Sequence, residues 1–414
     1  MKKVFLIAAL AMLTGTIALD ARAQSTPAPE QQPDPKELEF VQSWYEGCIG
    51  RKPIDEEKCY QLSKELTEKH PKADPKYLEF ANKKIAGYKY DKASTKFNTA
   101  LKDFYGSKPD GAKLEAFFTA GDEFLEIESD PQSPNHLYII GYQALAAQVA
   151  VMADAYKNYD KVKPYFDRAL KAFETLNPGK YQKEYTELNL PNLRDLIQAN
   201  LNQCLGYMLT QTSPDQPDAQ AQALAYIEKS TKVRSQANKD IGWKDPNNYQ
   251  LRRNIYLKQY QALSKQYAAM TDEQKTSDAG KALIKQINEV LDKKLIPEDA
   301  RLIAVASKPE LKDVKNDATE EFNNFWKFRV DDPTKTAAYL KSFEADPTVE
   351  GPPVPAKADD GTGAAIPNAA SGTNKLTAGS SGVPGATTGT ATSTTTGSKT
   401  TTKGKTTKKK TRRQ

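Results

Sequence analysis

Cys48 and Cys59 stand eleven positions apart, and two cysteines at that distance can form a disulfide, hold a metal or exchange electrons. Metal and redox chemistry both need company that this chain does not supply. It has no C-x-x-C pair, and its two histidines, His70 and His136, are isolated. Cys48 closes one helical pattern (Leu38, Val41, Tyr45, Cys48) and Cys59 opens the next (Cys59, Leu62, Leu66), with a turn at Gly50-Arg51-Lys52-Pro53 between them. A disulfide stapling this hairpin is the expected use, worth about 3 kcal/mol by the loop-entropy relation. Cys204 shares a face with Ile197, Leu201 and Met208, where an inert buried thiol is expected.

Motifs for other chemistry are missing. There is no H-E-x-x-H, G-x-S-x-G, P-loop or dinucleotide fingerprint, and carboxylates sit in mixed-charge runs such as Asp55-Glu56-Glu57-Lys58, which read as solvated helix faces. No catalysis, cofactor or metal is expected. The remaining chemistry is electrostatic. From Gly351 to Gln414 ten Lys or Arg face only Asp359 and Asp360, a net +8 against +6 for the whole chain, so everything before carries −2. The charge is densest at Lys408, Lys409, Lys410, Arg412 and Arg413, a cluster suited to an anionic membrane or envelope polymer. A near-neutral body does not imply nucleic acid as partner.

The elements that must position these groups divide the chain into four. Lys2-Lys3, an apolar run from Val4 to Leu19 and Ala21-Arg22-Ala23 describe a cleavable secretory signal over residues 1–23, so the protein is expected to be exported, periplasmic or secreted. Such a compartment lets disulfides persist. Residues 24–34 form a proline-rich polar leader, 35–347 a helical body, and 348–414 a Thr/Gly/Ala-rich tail too poor in large apolar residues to fold. Helical spacing is clear in the body. Tyr138, Tyr142, Leu145, Val149, Met152 and Tyr156 make one stripe; Tyr256, Tyr260, Leu263, Tyr267 and Met270 make another, with Leu283 or Ile284, Ile287 and Leu291 on a partner helix. Asp74-Pro75 and Asp332-Pro333 each place a cap before a proline at a helix start. The fold class expected is all-α.

One phrase occurs twice. AGYKYDKASTKFNTALKDF, Ala86 to Phe104, returns 69 positions later as AYKNYDKVKPYFDRALKAF, Ala155 to Phe173, with nine of nineteen positions identical. Small residues there let helices approach, the aromatics Phe97 and Phe166 fill the groove between pairs, and the Tyr-Asp openings end one helix and cap the next. Ala93 with Phe97 and Ala100-Leu101, then Phe166 with Ala169-Leu170, and more weakly Leu205-Gly206 followed by Ala223, Ile227 and Ser230, resemble the tetratricopeptide repeat, whose unit of about 34 residues is half that spacing. The resemblance is clearest over 75–295 and implies a solenoid of antiparallel helical hairpins binding a protein or peptide partner. Carrying the family's groove positions over from Leu205-Gly206 gives Asn200, Gln203 and Tyr207 as candidate binding residues.

Departures are visible too. Only two helices, near 111–128 and 135–156, separate the copies where strict alternation needs an odd number; either Gly121-Asp122 breaks one of them or the array is irregular. Phe322, Phe325, Trp326 and Phe328 form an aromatic set that is either a docking surface or a cap closing the array under Leu340 and Phe343. The cap is preferred.

Overall fold

The computed structural model describes residues 35–50, 53–357 and 366–367. The signal segment, the leader and the basic cluster Lys408, Lys409, Lys410, Arg412 and Arg413 therefore lie outside the described residues. Among the described residues every regular element is helical. The order is α1 (Pro35–Tyr45), α2 (Glu56–Lys69), α3 (Pro75–Tyr105), α4 (Gly111–Ile127), α5 (Pro134–Met152), α6 (Tyr159–Glu174) and α7 (Gln182–Glu187). It continues through α8 (Leu190–Thr212), α9 (Pro217–Thr231), α10 (Pro246–Ala268), α11 (Asp272–Thr276), α12 (Asp278–Val290), α13 (Ile296–Val305), α14 (Lys312–Arg329) and α15 (Thr336–Lys341).

Local sequence sets the helix starts. The side chains of Asp55, Asp74, Asp110, Asn158 and Asp245 each accept a backbone N–H of the first turn they precede, and Thr271 with Gln274 forms a reciprocal box at α11. Asp332 does the same before the single tight turn that leads into α15. After α5 the chain turns at Asp154, whose φ of 58° is left-handed, so that helix stops at Met152 rather than reaching Tyr156.

The helices pack as consecutive pairs: α3 with α4, α5 with α6, α8 with α9, α10 with α12, and α13 with α14. From the second pair onward the first helix of each pair also packs on the first helix of the next, α5 on α8, α8 on α10 and α10 on α13. Cross-pair contacts of α6 with α8 and of α9 with α10 complete the joints. A proline opens the first turn of every leading helix, at Pro75, Pro134, Pro191, Pro246 and Pro297, which are 59, 57, 55 and 51 residues apart.

This unit is not the phrase that recurs at 69. Phe97 lies on α3, a leading helix, with its ring 5.1 Å from Phe117 and 6.4 Å from Tyr138. Phe166 lies on α6, a second helix, packed between α5 and α8. Both are buried in one core, in different surroundings. The Tyr-Asp openings differ likewise: Tyr90-Asp91 falls inside the unbroken 31-residue α3, whereas Tyr159-Asp160 begins α6 behind the Asn158 cap. Nothing near Gly87 stops α3, and Gly121-Asp122 does not break α4. The array is irregular.

Two apolar cores divide the body. One runs from Phe97 through α8 to Ile241, the other from Leu257 to Phe343, with a smaller seam of Ala223, Ile227, Leu251 and Ile255 between them. A third, around Trp44, Cys48, Cys59, Leu66 and Ala81, belongs to α1, α2 and the start of α3, which spans both this unit and the array. The aromatic set is a cap. Phe322 and Phe325 are fully buried, and Tyr339 of α15 lies 6.2 Å from the ring of Phe322 and 5.0 Å from that of Trp326. Residues 351–357 and 366–367 have no regular structure but pack on the last helices, Val354 and Ile366 against their core. Among the described residues no helix is long and apolar enough to cross a membrane.

Candidate interaction surfaces

Asn200 and Gln203 are interior residues, which corrects their assignment to an open groove. They are 2% and 3% exposed, and Tyr207 is half-buried. Gln203 donates from Nε2 to Oδ2 of Asp245 at 2.9 Å and to Oδ1 of Asn248 at 3.1 Å. Asn248 donates in turn to Oγ of Ser230 at 2.9 Å and to the Gly242 carbonyl at 2.8 Å. Asp245, besides taking the Gln203 amide, caps α10 through the Asn247 N–H. One buried network thus ties α8, α9 and α10 into a joint, so the polar row holds neighbouring pairs in register. Gln203→Leu removes the donor and leaves two buried acceptors short, and the expected loss is about 1–3 kcal/mol in urea unfolding with partner capture unchanged.

Gly206, three residues on, sits where α8 and α9 cross. A Cβ there would stand 2.7 Å from Cγ1 of Ile227 and 3.1 Å from the Ala223 carbonyl. Gly206→Ala is expected to force the helices apart at about 1–3 kcal/mol, read as a lowered thermal midpoint.

No residue of α5 is exposed, nor is any from Leu196 to Met208 on α8. At the α4–α6 joint, Gln143 lies over Gly121, where a Cβ would meet its Nε2 at 2.3 Å. Its amide donates to the Phe118 carbonyl at 2.9 Å and its Oε1 accepts from Arg168 at 2.7 Å, while Tyr165 donates to Asp122 at 2.8 Å. Gly121 is there to admit Gln143.

A charged cluster stands where α10, α13 and α14 meet. Arg253, 4% exposed, donates from Nε to Oδ1 of Asp299 at 2.5 Å and pairs with Glu321. Glu298 takes Arg252 at 2.8 Å and Arg301 at 2.6 Å. Three cations meet three carboxylates. Burial pushes the Asp299 carboxyl up to about 7, against the opposing pull of Arg253. A carboxyl titrating there is a usual candidate acid or base; Asp299 is wholly enclosed, and its pairing with Arg253 helps the cluster tie three helices together. Among the described residues no group of acids, histidines and cysteines is placed to hold a metal ion. An open groove of about 420 Å³ lies between α3 and α4, bordered by Lys96, Asp103 and Lys113.

Cys48 and Cys59 are joined, their Cα atoms 4.9 Å apart, in a unit where Trp44 donates to Oγ of Ser63 at 3.0 Å. Cys204 is a free, buried thiol whose pKa burial raises far above the usual range. His70 ends α2 with its ring 4.8 Å from that of Phe40, and His136 donates from Nδ1 to the Glu128 carbonyl at 2.7 Å. Of the six exposed large apolar side chains among the described residues, Leu38, Tyr45, Tyr77 and Phe80 belong to α1 and the start of α3.

These residues define an all-helical protein of stacked pairs with structural polar joints. Compared with protein-family models, curated proteins and solved structures, the chain has no match.

Proposed function

We propose that the protein is an exported, non-catalytic helical-repeat scaffold, tetratricopeptide-like in its packing, that holds protein or peptide partners in the cell envelope. The observation that carries this is the recurring joint: each leading helix from α5 to α13 packs on the next leading helix, in units of roughly 55 residues. Stacks of this kind extend surface faster than volume and serve as platforms. The unit is longer than the 34 or so residues of the tetratricopeptide family, and α5, α13 and the middle of α8 present no exposed residue, so partners are assigned to the outer helices and the two ends.

Crosslinking in intact cells, with and without residues 399–414, tests this. The same neighbour is expected from both forms; no specific neighbour from either contradicts it. A second reading rests on the charge division along the chain, in which the basic tail tethers the protein to an anionic envelope surface. Near such a surface each Lys or Arg contributes about 1 kcal/mol, an attraction that salt screens. Loss of envelope association on deleting 399–414 would favour it; retention would exclude it.

A further inference from the structure

The chain beyond α15 lies on the last helices in a way that reads its backbone. Arg301 of α13 donates from Nε to the Pro347 carbonyl at 2.9 Å and from Nη2 to the Val349 carbonyl at 3.2 Å. Its guanidinium is aimed by Glu298, 2.6 Å from Nη1, and by the Phe343 ring, 5.0 Å beneath it. The Arg329 carbonyl accepts the Lys357 N–H at 2.8 Å, and Tyr260 of α10 donates to the Pro367 carbonyl at 2.6 Å. Arg234 holds Asp346 and Thr348 at 2.9 and 2.8 Å, and Asp331 holds the Lys357 ammonium at 2.9 Å.

Side chains enter at few points. Pro347 is buried, and Val354 and Ile366, each followed by a proline, rest on the core of the last helices. Gly351 lies against the Phe343 ring, where a Cβ would come within 2.1 Å of Cζ. The ligand is pre-extended: Pro352, Pro353, Pro355 and Pro367 disfavour helix at the residue before each of them and carry no N–H. A chain so poor in donors is best recognised through its carbonyls, by side-chain N–H and O–H groups, on an aromatic and apolar floor. Arg301, Tyr260 and Phe343 supply those parts.

We infer that the surface formed by α10, α13, α14 and α15 is a receptor for extended proline-rich peptides bearing aliphatic-proline pairs, occupied in cis by residues 346–357 and 366–367. Three apolar anchors and a few hydrogen bonds hold more than a dozen residues that form no helix, so the cis segment is exchangeable. A third such pair, Val383-Pro384, follows in the same tail. The inference deepens the peptide-binding reading by naming a ligand class.

The test uses the full chain and a labelled peptide of residues 346–367. In V354D/I366D the cis anchors are spoiled while the receptor side is untouched. This variant is expected to bind the peptide at least tenfold tighter than the unaltered chain, and R301A added to it should remove the gain. Equal binding by variant and unaltered chain, or none by either, overturns the inference. The unaltered chain supplies a second readout. Excess peptide should speed hydrogen exchange at the Lys357 amide at least fivefold, whereas unchanged exchange counts against exchangeability. If crosslinking finds a partner and the peptide does not bind, the receptor fails and the scaffold reading stands; peptide binding without a partner reverses that.

Discussion

Replacing Arg253 by methionine will lower the stability of the body by about 3–5 kcal/mol at pH 8, because Asp299 and Glu321 are then left in the interior without their shared cation. The side chain is similar in length, so lost packing is not the cause. The loss should shrink at pH 5, where the stranded carboxyls can take up protons and bury as neutral groups. The unaltered protein already leans this way. Asp299 is held at about 7, above the value near 3.9 of an unfolded chain, so between those limits the folded state keeps a proton that the unfolded state releases. Its contribution therefore weakens as pH rises from about 4 to 7 and is level beyond, and Asp299→Asn should flatten that slope. Urea unfolding of the three proteins at pH 5 and 8 measures this. A loss from R253M that is the same at both pH values would show that the cluster is not electrostatic.

Removing the disulfide, by reduction or by C48S/C59S, is expected to destabilise the unit of α1, α2 and the start of α3 by about 3 kcal/mol, the loop-entropy value for a bridge across eleven residues. That unit has a small core of its own and joins the array through α3 alone among the leading helices. The damage should therefore stay local. Trp44, fully buried beside Ser63, reports on it by fluorescence while α5–α14 keep their helicity. Simultaneous loss of both signals would mean that the two parts unfold as one.

Much of the helical architecture is legible because its causes are local. Asp74-Pro75 and Asp332-Pro333 cap where they stand, and the stripes from Tyr138 and Tyr256 lie on buried faces of α5 and α10. Cys48 and Cys59 are legible for the same reason, since both ends of their hairpin carry helical spacing. The repeat length is different. Identity between Ala86–Phe104 and Ala155–Phe173 draws attention to 69, yet the packing unit is marked by prolines at 75, 134, 191, 246 and 297, a weaker signal spread over a single residue type. Gln203 illustrates the deeper difficulty. A polar residue beside Leu205-Gly206 reads as surface, and its partners Asp245 and Asn248 are more than forty positions away, so only folding reveals that it is satisfied inside. Arg253, Asp299 and Glu321 escaped for that reason also, each looking like part of a solvated face until α10, α13 and α14 are brought together.

The most direct test of the modular account is a fragment of residues 24–244, ending after the pair α8 and α9. It retains the whole core from Phe97 to Ile241 and loses the one from Leu257 to Phe343. Stacked units depend mainly on their neighbours. Circular dichroism should give a helical fragment with its own cooperative melt. A chain that is unfolded or melts without a transition would contradict the account.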